Sequence, residues 1–208
     1  VTARDMGVLA RALHREFPTY KSYFSTPSVM APKRTKSGKT IQRVYFSYNL
    51  LLERFAGADG FKTGFVCASG YNFVGSATRN GRRIAAIVLG RDGQTSRAVD
   101  AARLIAEGFE KPSAFGTPIE RLAPNGPVAS QARNMRPTIC TEAARNARYD
   151  PGAGQAVIES PWLQKRQITR GPMVATFMPR ATLGFETVTF PKPRPATPTF
   201  TPAATPAS

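Results

Sequence analysis

The sequence is poor in the residues that build metal and redox sites. Its 208 residues include two cysteines, Cys67 and Cys140, and one histidine, His14. The cysteines are far apart in the sequence, so there is no C-x-x-C pair, and one histidine cannot complete a Cys/His metal site. We therefore expect no metal and no other cofactor. Cys67 is interpreted first as a small buried hydrophobic residue, and a disulfide with Cys140 is the alternative left open.

Long apolar runs are also missing from the sequence. No stretch has the length and composition of a transmembrane helix, so no transmembrane segment is predicted in this chain. The opening VTARD has neither an initiator methionine nor the apolar core of a signal peptide. Because this opening stands directly before a helix cap, we expect a cut end rather than a natural start.

Acidic residues are scarce. There are 13 Asp and Glu against 29 Lys and Arg, which gives a net charge of +16. Such a balance favours an anionic partner, whether nucleic acid, anionic lipid or an acidic polymer, and the alternative is a solvated basic surface. The cations look scattered and form no recognition-helix pattern or basic run with interleaved aromatics. A specific nucleic-acid partner is therefore not expected.

The first part of the chain begins with a predicted amphipathic helix. Over residues 2–17, Met6, Leu9, Leu13 and Phe17 recur at helical spacing. Thr2 followed three residues later by an aspartate is typical of a capping pair, and Pro18 stops the helix. After it, residues 33–40 form a charged turn around a glycine, and residues 40–48 are rich in β-branched and aromatic residues, as strands are.

Three strands and a helix are predicted over residues 58–111. Residues 59–66 and 70–80 form the first two strands, and Asn80-Gly81 is typical of a two-residue hairpin turn. The apolar stretch 82–90 forms the third strand, and residues 95–111 form a second helix. The fold class is therefore α+β, with an antiparallel sheet and helices on its N-terminal and C-terminal sides.

Beyond Pro112 the composition changes. Of the 18 prolines, 15 lie in this later part, where they remove backbone donors and interrupt helices and strands. We expect core material to end near residue 111. The predicted organisation is a folded part over residues 1–111, a poorly structured basic extension over 112–190, and a disordered Pro/Thr/Ala-rich tail over 191–208.

The K-T-G triplet at residues 62–64 is the strongest candidate for chemistry. Lys62 and Thr63 on one strand edge can hold a carboxylate through charge-assisted hydrogen bonds. Gly64 lets a ligand approach the backbone closely, and the amide of Phe65 can point at a developing oxyanion. For an isolated triplet the alternative is a surface lysine on an edge strand.

The context of this triplet is more specific. The stretch GADGFKTGFVCASGYNFVGSATRNGRRIAAIVLG, residues 57–90, resembles the third motif region of the serine D-Ala-D-Ala carboxypeptidases, the low-molecular-mass penicillin-binding proteins, whose motifs are S-x-x-K, S-x-N and K-T-G. The upstream segments TARDMGVLARALHREFP, YFSTPS and YNLLLERFAGADG are similar to the same family, and NMRPTIC, residues 134–140, resembles a tail segment of some members more weakly. The resemblance covers residues 1–111.

The resemblance implies a fold, a site and partners. The fold is a partial penicillin-binding-protein/β-lactamase-like fold. Lys62, Thr63, Gly64 and Phe65 take the substrate-binding role, with Lys62 and Thr63 on the terminal carboxylate and the Phe65 N–H as an oxyanion donor. The implied partners are the peptidoglycan stem peptide and, in the full-length enzyme, β-lactams, and the implied location is the periplasm or cell envelope.

The other half of the family's active site is not found in the sequence. None of the eight lysines has a serine three residues before it, so there is no S-x-x-K. The triplet SYN at 47–49 has the S-x-N form but lies close to K-T-G, and we interpret it as a coincidental match. No catalytic residue is therefore assigned, because the nucleophile and base are absent. We expect the chain alone to be inactive, and the alternative function is a non-catalytic basic cell-wall-binding protein.

Overall fold

Over the first 110 residues, two helices are followed by five strands and then by a long helix. The computed structural model describes residues 1–112, 116–122, 132–149, 160–167 and 171–174, without the side chains of 147–149. All of these belong to one compact unit, Val1–Ala175. In chain order the elements are α1 (Ala3–Glu16), α2 (Lys21–Ser25), β1 (Ser28–Arg34), β2 (Thr40–Phe46), β3 (Ala58–Val66), β4 (Gly70–Arg79), β5 (Arg82–Arg91), α3 (Gln94–Glu110), α4 (Arg136–Ile139), α5 (Glu142–Tyr149) and β6 (Met173–Val174), with 3₁₀ turns at Pro18–Tyr20 and Ile119–Arg121.

Helix α1 has the capping pair that the sequence predicts. The Asp5 backbone N–H donates to the Thr2 hydroxyl at 3.2 Å, and the Thr2 backbone N–H donates to the Asp5 carboxylate at 2.8 Å. These two bonds satisfy donors that the first helical turn leaves unpaired, as a capping box does. The helix ends before Pro18, which begins a 3₁₀ turn.

The central sheet has the order β3-β4-β5 and is antiparallel throughout. Asn80 and Gly81 connect β4 to β5 with φ values of 48° and 75°. Positive φ at both positions is the signature of a type I′ turn, so the predicted hairpin is confirmed. The sheet order leaves β3 as an outer strand.

Helix α3 packs on this sheet and closes the core. Phe73 of β4 is 1% exposed and Ile105 of α3 is fully buried. Both belong to one hydrophobic core cluster, which also contains Leu51 and Ala101. Burying a side chain of the size of Phe73 contributes about 1.5–3 kcal/mol. The predicted α+β class, with an antiparallel sheet and helices on both sides of it in sequence, is confirmed.

A second sheet has the order β2-β1-β6. Strands β1 and β2 form an antiparallel hairpin, with Val29 opposite Tyr45 and Lys33 opposite Ile41. The short strand β6 adds to β1 in parallel. Strand β2 was predicted as part of residues 40–48, and its partner β1 is an additional strand.

Core material continues beyond residue 111, so the expectation that it ends there is wrong. Leu163 is 4% exposed and belongs to the main core cluster, and Ile139 is 6% exposed. The Gln164 N–H donates to the Arg54 carbonyl at 2.9 Å, which ties this segment to the chain before β3. The division into three parts stays a prediction, and the tail over 191–208 lies outside the described residues. Within the described ranges, no helix is both long enough and apolar enough to cross a membrane.

Candidate functional site

The K-T-G triplet lies on an open edge of the central sheet. On one side of β3, Lys62 pairs with Val74, Thr63 with Phe73 and Gly64 with Asn72. On the other side, the described ranges provide no further strand. A Cβ at Gly64 would meet no atom within 4 Å. The backbone at Gly64 is therefore accessible, and an extended ligand can approach it as an added strand does.

Lys62 places a positive charge at this edge. Its side chain is exposed, and its Nζ donates to the Thr63 carbonyl oxygen at 2.7 Å. Among the described residues, no carboxylate forms an ion pair with it. The ammonium keeps two further donor hydrogens beside the Thr63 backbone, which suits it to an anionic group of a ligand.

Arg97 of α3 holds the K-T-G strand from inside the protein. The residue is 4% exposed, and its guanidinium donates to the carbonyl oxygens of Gly64 at 3.2 Å, Asn72 at 3.3 Å and Tyr48 at 3.3 Å. Burial lowers the pKa of this guanidinium below its ordinary value. The three bonds join α3 to β3, β4 and the segment after β2, so Arg97 positions the strand.

Sequence analysis missed Arg97, although a signal was present. Arg97, Ala101 and Ile105 are spaced four residues apart and all face the core. A charged residue in line with a buried helical stripe is unusual, because a charge enters the interior only with partners. The partners here are carbonyl groups distant in sequence, which no local pattern reveals.

Two aromatic rings flank the triplet on its C-terminal side. Phe65 is 40% exposed, and its ring centroid lies 4.2 Å from that of Tyr71 on β4. The Arg97 guanidinium lies over the other ring of this pair, 5.3 Å from the Tyr71 centroid. Aromatic pairs and cation–π contacts of this kind stabilise the side chains that form them. Phe65 therefore adds an exposed apolar ring to this edge, on the strand face opposite to that of Lys62.

A partly buried carboxylate anchors the beginning of β3. Asp59 accepts from the Ser76 hydroxyl at 2.6 Å and the Thr78 hydroxyl at 2.6 Å, and forms an ion pair with Arg83 at 2.6 Å. Burial by itself raises the pKa of Asp59, but the hydrogen bonds from Ser76, Thr78 and Arg83 outweigh it and lower the pKa below its usual range. Asp59 is thus an ionised structural group that fixes β3 three residues before Lys62.

In the SYN triplet at 47–49, the side chains of Ser47 and Asn49 form hydrogen bonds with backbone groups. Asn49 is 5% exposed, its Nδ2 donates to the Gly60 carbonyl at 3.1 Å, and its Oδ1 accepts from the Leu51 N–H at 3.0 Å. The Ser47 hydroxyl accepts from the Asn49 N–H at 3.2 Å. Because both ends of the Asn49 amide are occupied, the triplet braces the approach to β3, which supports its interpretation as a coincidental match.

Cys67 and Cys140 are joined by a disulfide in the structure, with their Cα atoms 5.7 Å apart. Of the two interpretations that the sequence left open, this is the arrangement observed. The bond lies at the turn after β3, where the Met135 N–H also donates to the Ala68 carbonyl at 2.9 Å. It therefore fastens the segment that contains α4 to the C-terminal end of the K-T-G strand.

Together these residues form a candidate binding site, and the sequence supplies no Ser–Lys nucleophile for it. Lys62, Thr63, Gly64 and Phe65 lie in one run along an open edge, and Arg97 supports that edge from the core. The whole chain has no serine three residues before a lysine. Such an arrangement can hold an anion and orient a peptide, and it lacks the Ser–Lys pair that forms an acyl-enzyme.

Comparison with known proteins shows what this region is similar to. The family model of the D-alanyl-D-alanine carboxypeptidases matches residues 1–93. The resemblance to this family is confirmed for that part of the chain. The carboxypeptidase DacD of Escherichia coli (strain K12) is 32% identical over 107 residues, which are 51% of this chain and 26% of DacD. The carboxypeptidase DacB2 of Mycobacterium tuberculosis is 34% identical over 111 residues, 52% of this chain and 36% of DacB2.

A solved structure is also similar. Penicillin-binding protein D2 from Listeria monocytogenes, in its ampicillin-bound form, is 33% identical, with 50% of this chain and 40% of that chain covered and a TM-score of 0.41. This chain spans about a quarter to a third of the length of the two curated carboxypeptidases described above.

Proposed function

We propose that this chain forms the substrate-carboxylate-binding part of a D-alanyl-D-alanine carboxypeptidase. The complete enzyme would remove the terminal D-Ala from peptidoglycan stem peptides through a serine acyl-enzyme. The observation that carries the proposal is the placement of Lys62, without an acidic partner in the described residues, on the open edge of β3, inside the region that matches the family.

Each residue of the run has a role in this proposal. The Lys62 ammonium and the Thr63 hydroxyl bind the terminal carboxylate of the stem peptide. Gly64 leaves the strand edge free for the peptide backbone, and the Phe65 N–H stabilises the oxyanion of the tetrahedral intermediate. The same contacts would hold the carboxylate of a β-lactam. The reaction takes place at the cell envelope, where peptidoglycan is.

The nucleophile must come from residues outside this sequence. No S-x-x-K is present, so the 208-residue chain alone supplies charge and orientation and neither the attacking oxygen nor its base. We therefore expect no covalent labelling when the chain is incubated with a fluorescent penicillin. A labelled band that resists denaturation would contradict this part of the proposal.

The size of the polypeptide in its source cells separates the two candidate functions. An antibody raised against residues 1–111 should detect a band well above 22.5 kDa, the mass of this chain, if a longer carboxypeptidase contains it. In that longer protein, Lys62→Ala should slow penicillin acylation about 10²–10³-fold, as loss of a transition-state contact does. Lys111→Ala is the matched control, and equal acylation by the two variants would refute the assigned role of Lys62.

The second candidate is a non-catalytic basic protein that binds the cell wall. The net charge of +16 favours it, because peptidoglycan carries carboxylates. This function predicts an endogenous band at 22.5 kDa. It also predicts salt-sensitive sedimentation with peptidoglycan that Lys62→Ala leaves unchanged.

A further inference from the structure

The outer half of the β1–β2 hairpin, residues 32–43, is an exposed basic segment that we call the basic finger. Lys33 lies opposite Ile41 and Arg34 opposite Thr40, and the Thr35 N–H donates to the Lys39 carbonyl at 2.8 Å to close the turn. All twelve residues except Thr35, which is half-buried, are exposed. Five of them are cationic and none is acidic, and the cations are Lys33, Arg34, Lys36, Lys39 and Arg43.

These cations have no acidic partner within the part of the chain that the structure describes. None of the ion pairs formed there includes a residue of the basic finger. Five like charges within one hairpin repel one another, because exposed charges interact over the Debye length of about 8–10 Å. A hairpin of this composition is therefore stabilised by a surface that supplies negative charge.

The sequence shows a charged turn over residues 33–40, but it does not show how the hairpin arranges these cations together with Arg43. The hairpin register brings the two strands together and distributes the charges around them. Since successive strand residues point to opposite faces, Lys33 and Arg43 lie on one face and Arg34 on the other. Lys36 and Lys39 lie in the turn, beside Gly38 with a φ of 84°.

Apolar side chains accompany the cations on one face. Ile41 is 40% exposed and Tyr45 is 46% exposed, and both share a face with Arg43, whose guanidinium lies 5.5 Å from the Tyr45 ring centroid. Tyrosine with an apolar ring and a polar tip, next to long cationic side chains, is the composition found at membrane–water interfaces. Phe46 and Tyr48 add further exposed rings at the base of the hairpin.

We propose that the basic finger docks on an anionic lipid surface with its turn first. Cations lie on both faces and in the turn, so a layer of phosphate headgroups that surrounds the turn reaches all five. A linear polyanion lies along one face and reaches only part of the set. Behind the turn, Ile41 and Tyr45 face the outer part of the headgroup layer, where apolar burial adds to the charge attraction.

Binding to vesicles tests the proposal directly. The 208-residue chain should co-sediment with vesicles of equimolar phosphatidylglycerol and phosphatidylcholine, and much less with phosphatidylcholine alone. Each cation near such a surface contributes about 1 kcal/mol, which is roughly fivefold in partitioning, so Lys36→Gln with Lys39→Gln should weaken binding about 25-fold. The matched control is Lys21→Gln with Lys111→Gln, which removes the same charge elsewhere and should change binding less than about twofold.

A second pair of variants distinguishes lipid from a soluble polyanion. Ile41→Ser with Tyr45→Ser should weaken vesicle binding and leave binding to polyphosphate in solution unchanged. Two results together would overturn the lipid proposal: the Ile41/Tyr45 variant binds vesicles as the wild type does, and the Lys36/Lys39 variant loses binding to vesicles and to polyphosphate equally. The basic finger would then bind polyanions in general. Equal vesicle binding by the Lys36/Lys39 variant and the Lys21/Lys111 control would also overturn the lipid proposal. Circular dichroism and thermal unfolding should show that all variants stay folded.

Discussion

The Arg97 guanidinium donates a hydrogen bond to the carbonyl oxygen of Gly64 across 3.2 Å, and this contact links helix α3 to the K-T-G strand. The same guanidinium also reaches the carbonyls of Asn72 and Tyr48. Arg97 is buried and its described hydrogen-bond acceptors are carbonyl groups of three separate backbone segments, so the residue holds these segments close together. The position of the candidate site therefore depends on a residue 33 positions away in the sequence.

Arg97→Ala should destabilise the protein strongly. It leaves the carbonyls of Gly64, Asn72 and Tyr48 without this donor and opens a space in the interior, so we expect a loss of about 3 kcal/mol in the free energy of unfolding. Urea unfolding measures the change. Arg103→Ala on the same helix is the control, because Arg103 forms an exposed pair with Glu107 and its loss should cost under about 0.5 kcal/mol.

The positioning role makes a second, local prediction for Arg97→Lys. The lysine keeps the charge but has no planar fork with which to reach three carbonyls at once. Amide hydrogen exchange should therefore accelerate at Gly64 and Phe65 more than at residues of the β4–β5 hairpin. Uniform acceleration across the sheet would indicate a general loss of stability and would contradict the positioning role.

Gly64→Ala should separate ligand access from folding. A Cβ at Gly64 meets nothing within 4 Å, so the free energy of unfolding should stay the same or rise by about 0.4–1 kcal/mol. In the longer protein that contains this chain, penicillin acylation should nonetheless slow, because the methyl group occupies the strand edge where the ligand lies. Thermal unfolding measures the change in stability, and acylation kinetics measure the change in ligand access.

Gly57→Ala provides the opposite case. Gly57 has a φ of 80°, and a Cβ there would overlap the Thr78 carbonyl oxygen. This substitution should lower stability by about 2 kcal/mol or more, since it combines backbone strain with a steric clash. If Gly64→Ala destabilised the protein as much as Gly57→Ala, the open edge at Gly64 would be disproved.

Asp59 should give the protein an acid-dependent component of stability. Its pKa is lowered in the folded state, so the stabilisation is fully present above the unfolded value of about 3.9 and is lost as the pH falls through the folded value. Asp59→Asn should cost about 2–4 kcal/mol at pH 7, because it leaves the half-buried Arg83 without its carboxylate.

The difference between wild type and Asp59→Asn should then shrink below about pH 4, where the carboxylate binds a proton in the unfolded chain but stays ionised in the folded protein until a lower pH. Urea unfolding at several pH values measures it. Asp100→Asn removes the more exposed pair with Arg91 and should cost less than about 1 kcal/mol at pH 7. A constant difference between wild type and Asp59→Asn down to about pH 2 would contradict a lowered pKa for Asp59.

The sequence predicted those parts of the fold that local patterns determine. The capping pair at Thr2, the three strands of the central sheet and the Asn80-Gly81 turn are all confirmed, because each depends on residues a few positions apart. The K-T-G triplet was placed on β3 for the same reason. Its roles in binding stay predictions, since they concern a ligand.

What the sequence did not predict depends on contacts between distant segments. Arg97 supports Gly64 from another element, and Leu163 enters the core from a proline-rich part whose composition indicates little structure. Strand β1 contains Pro32, which lacks the backbone donor of a ladder, yet it pairs with β2 along its whole length. The spacing of apolar residues and the secondary-structure propensities of single residues carry no information on such pairings, because tertiary packing decides them.

The disulfide between Cys67 and Cys140 should contribute about as much to stability as the buried contacts of Arg97 or Asp59. It closes a loop of 73 residues, and loops of that size reduce the entropy of the unfolded chain enough to stabilise the native state by about 2–4 kcal/mol. Replacing both cysteines by serine should lower the free energy of unfolding by that amount in urea. Reduction of the wild type with dithiothreitol should reproduce the loss, while the variant should not respond to dithiothreitol.

The same bond should act locally on the segment that carries α4. The Met135 N–H donates to the Ala68 carbonyl next to the disulfide, so this hydrogen bond and the covalent link both hold α4 to the turn after β3. Amide exchange at Met135 and Ile139 should therefore accelerate more in the double serine variant than exchange at Phe73 in the core. If two thiols in the untreated native protein react with an alkylating reagent, the cysteines are not joined, and both predictions fail.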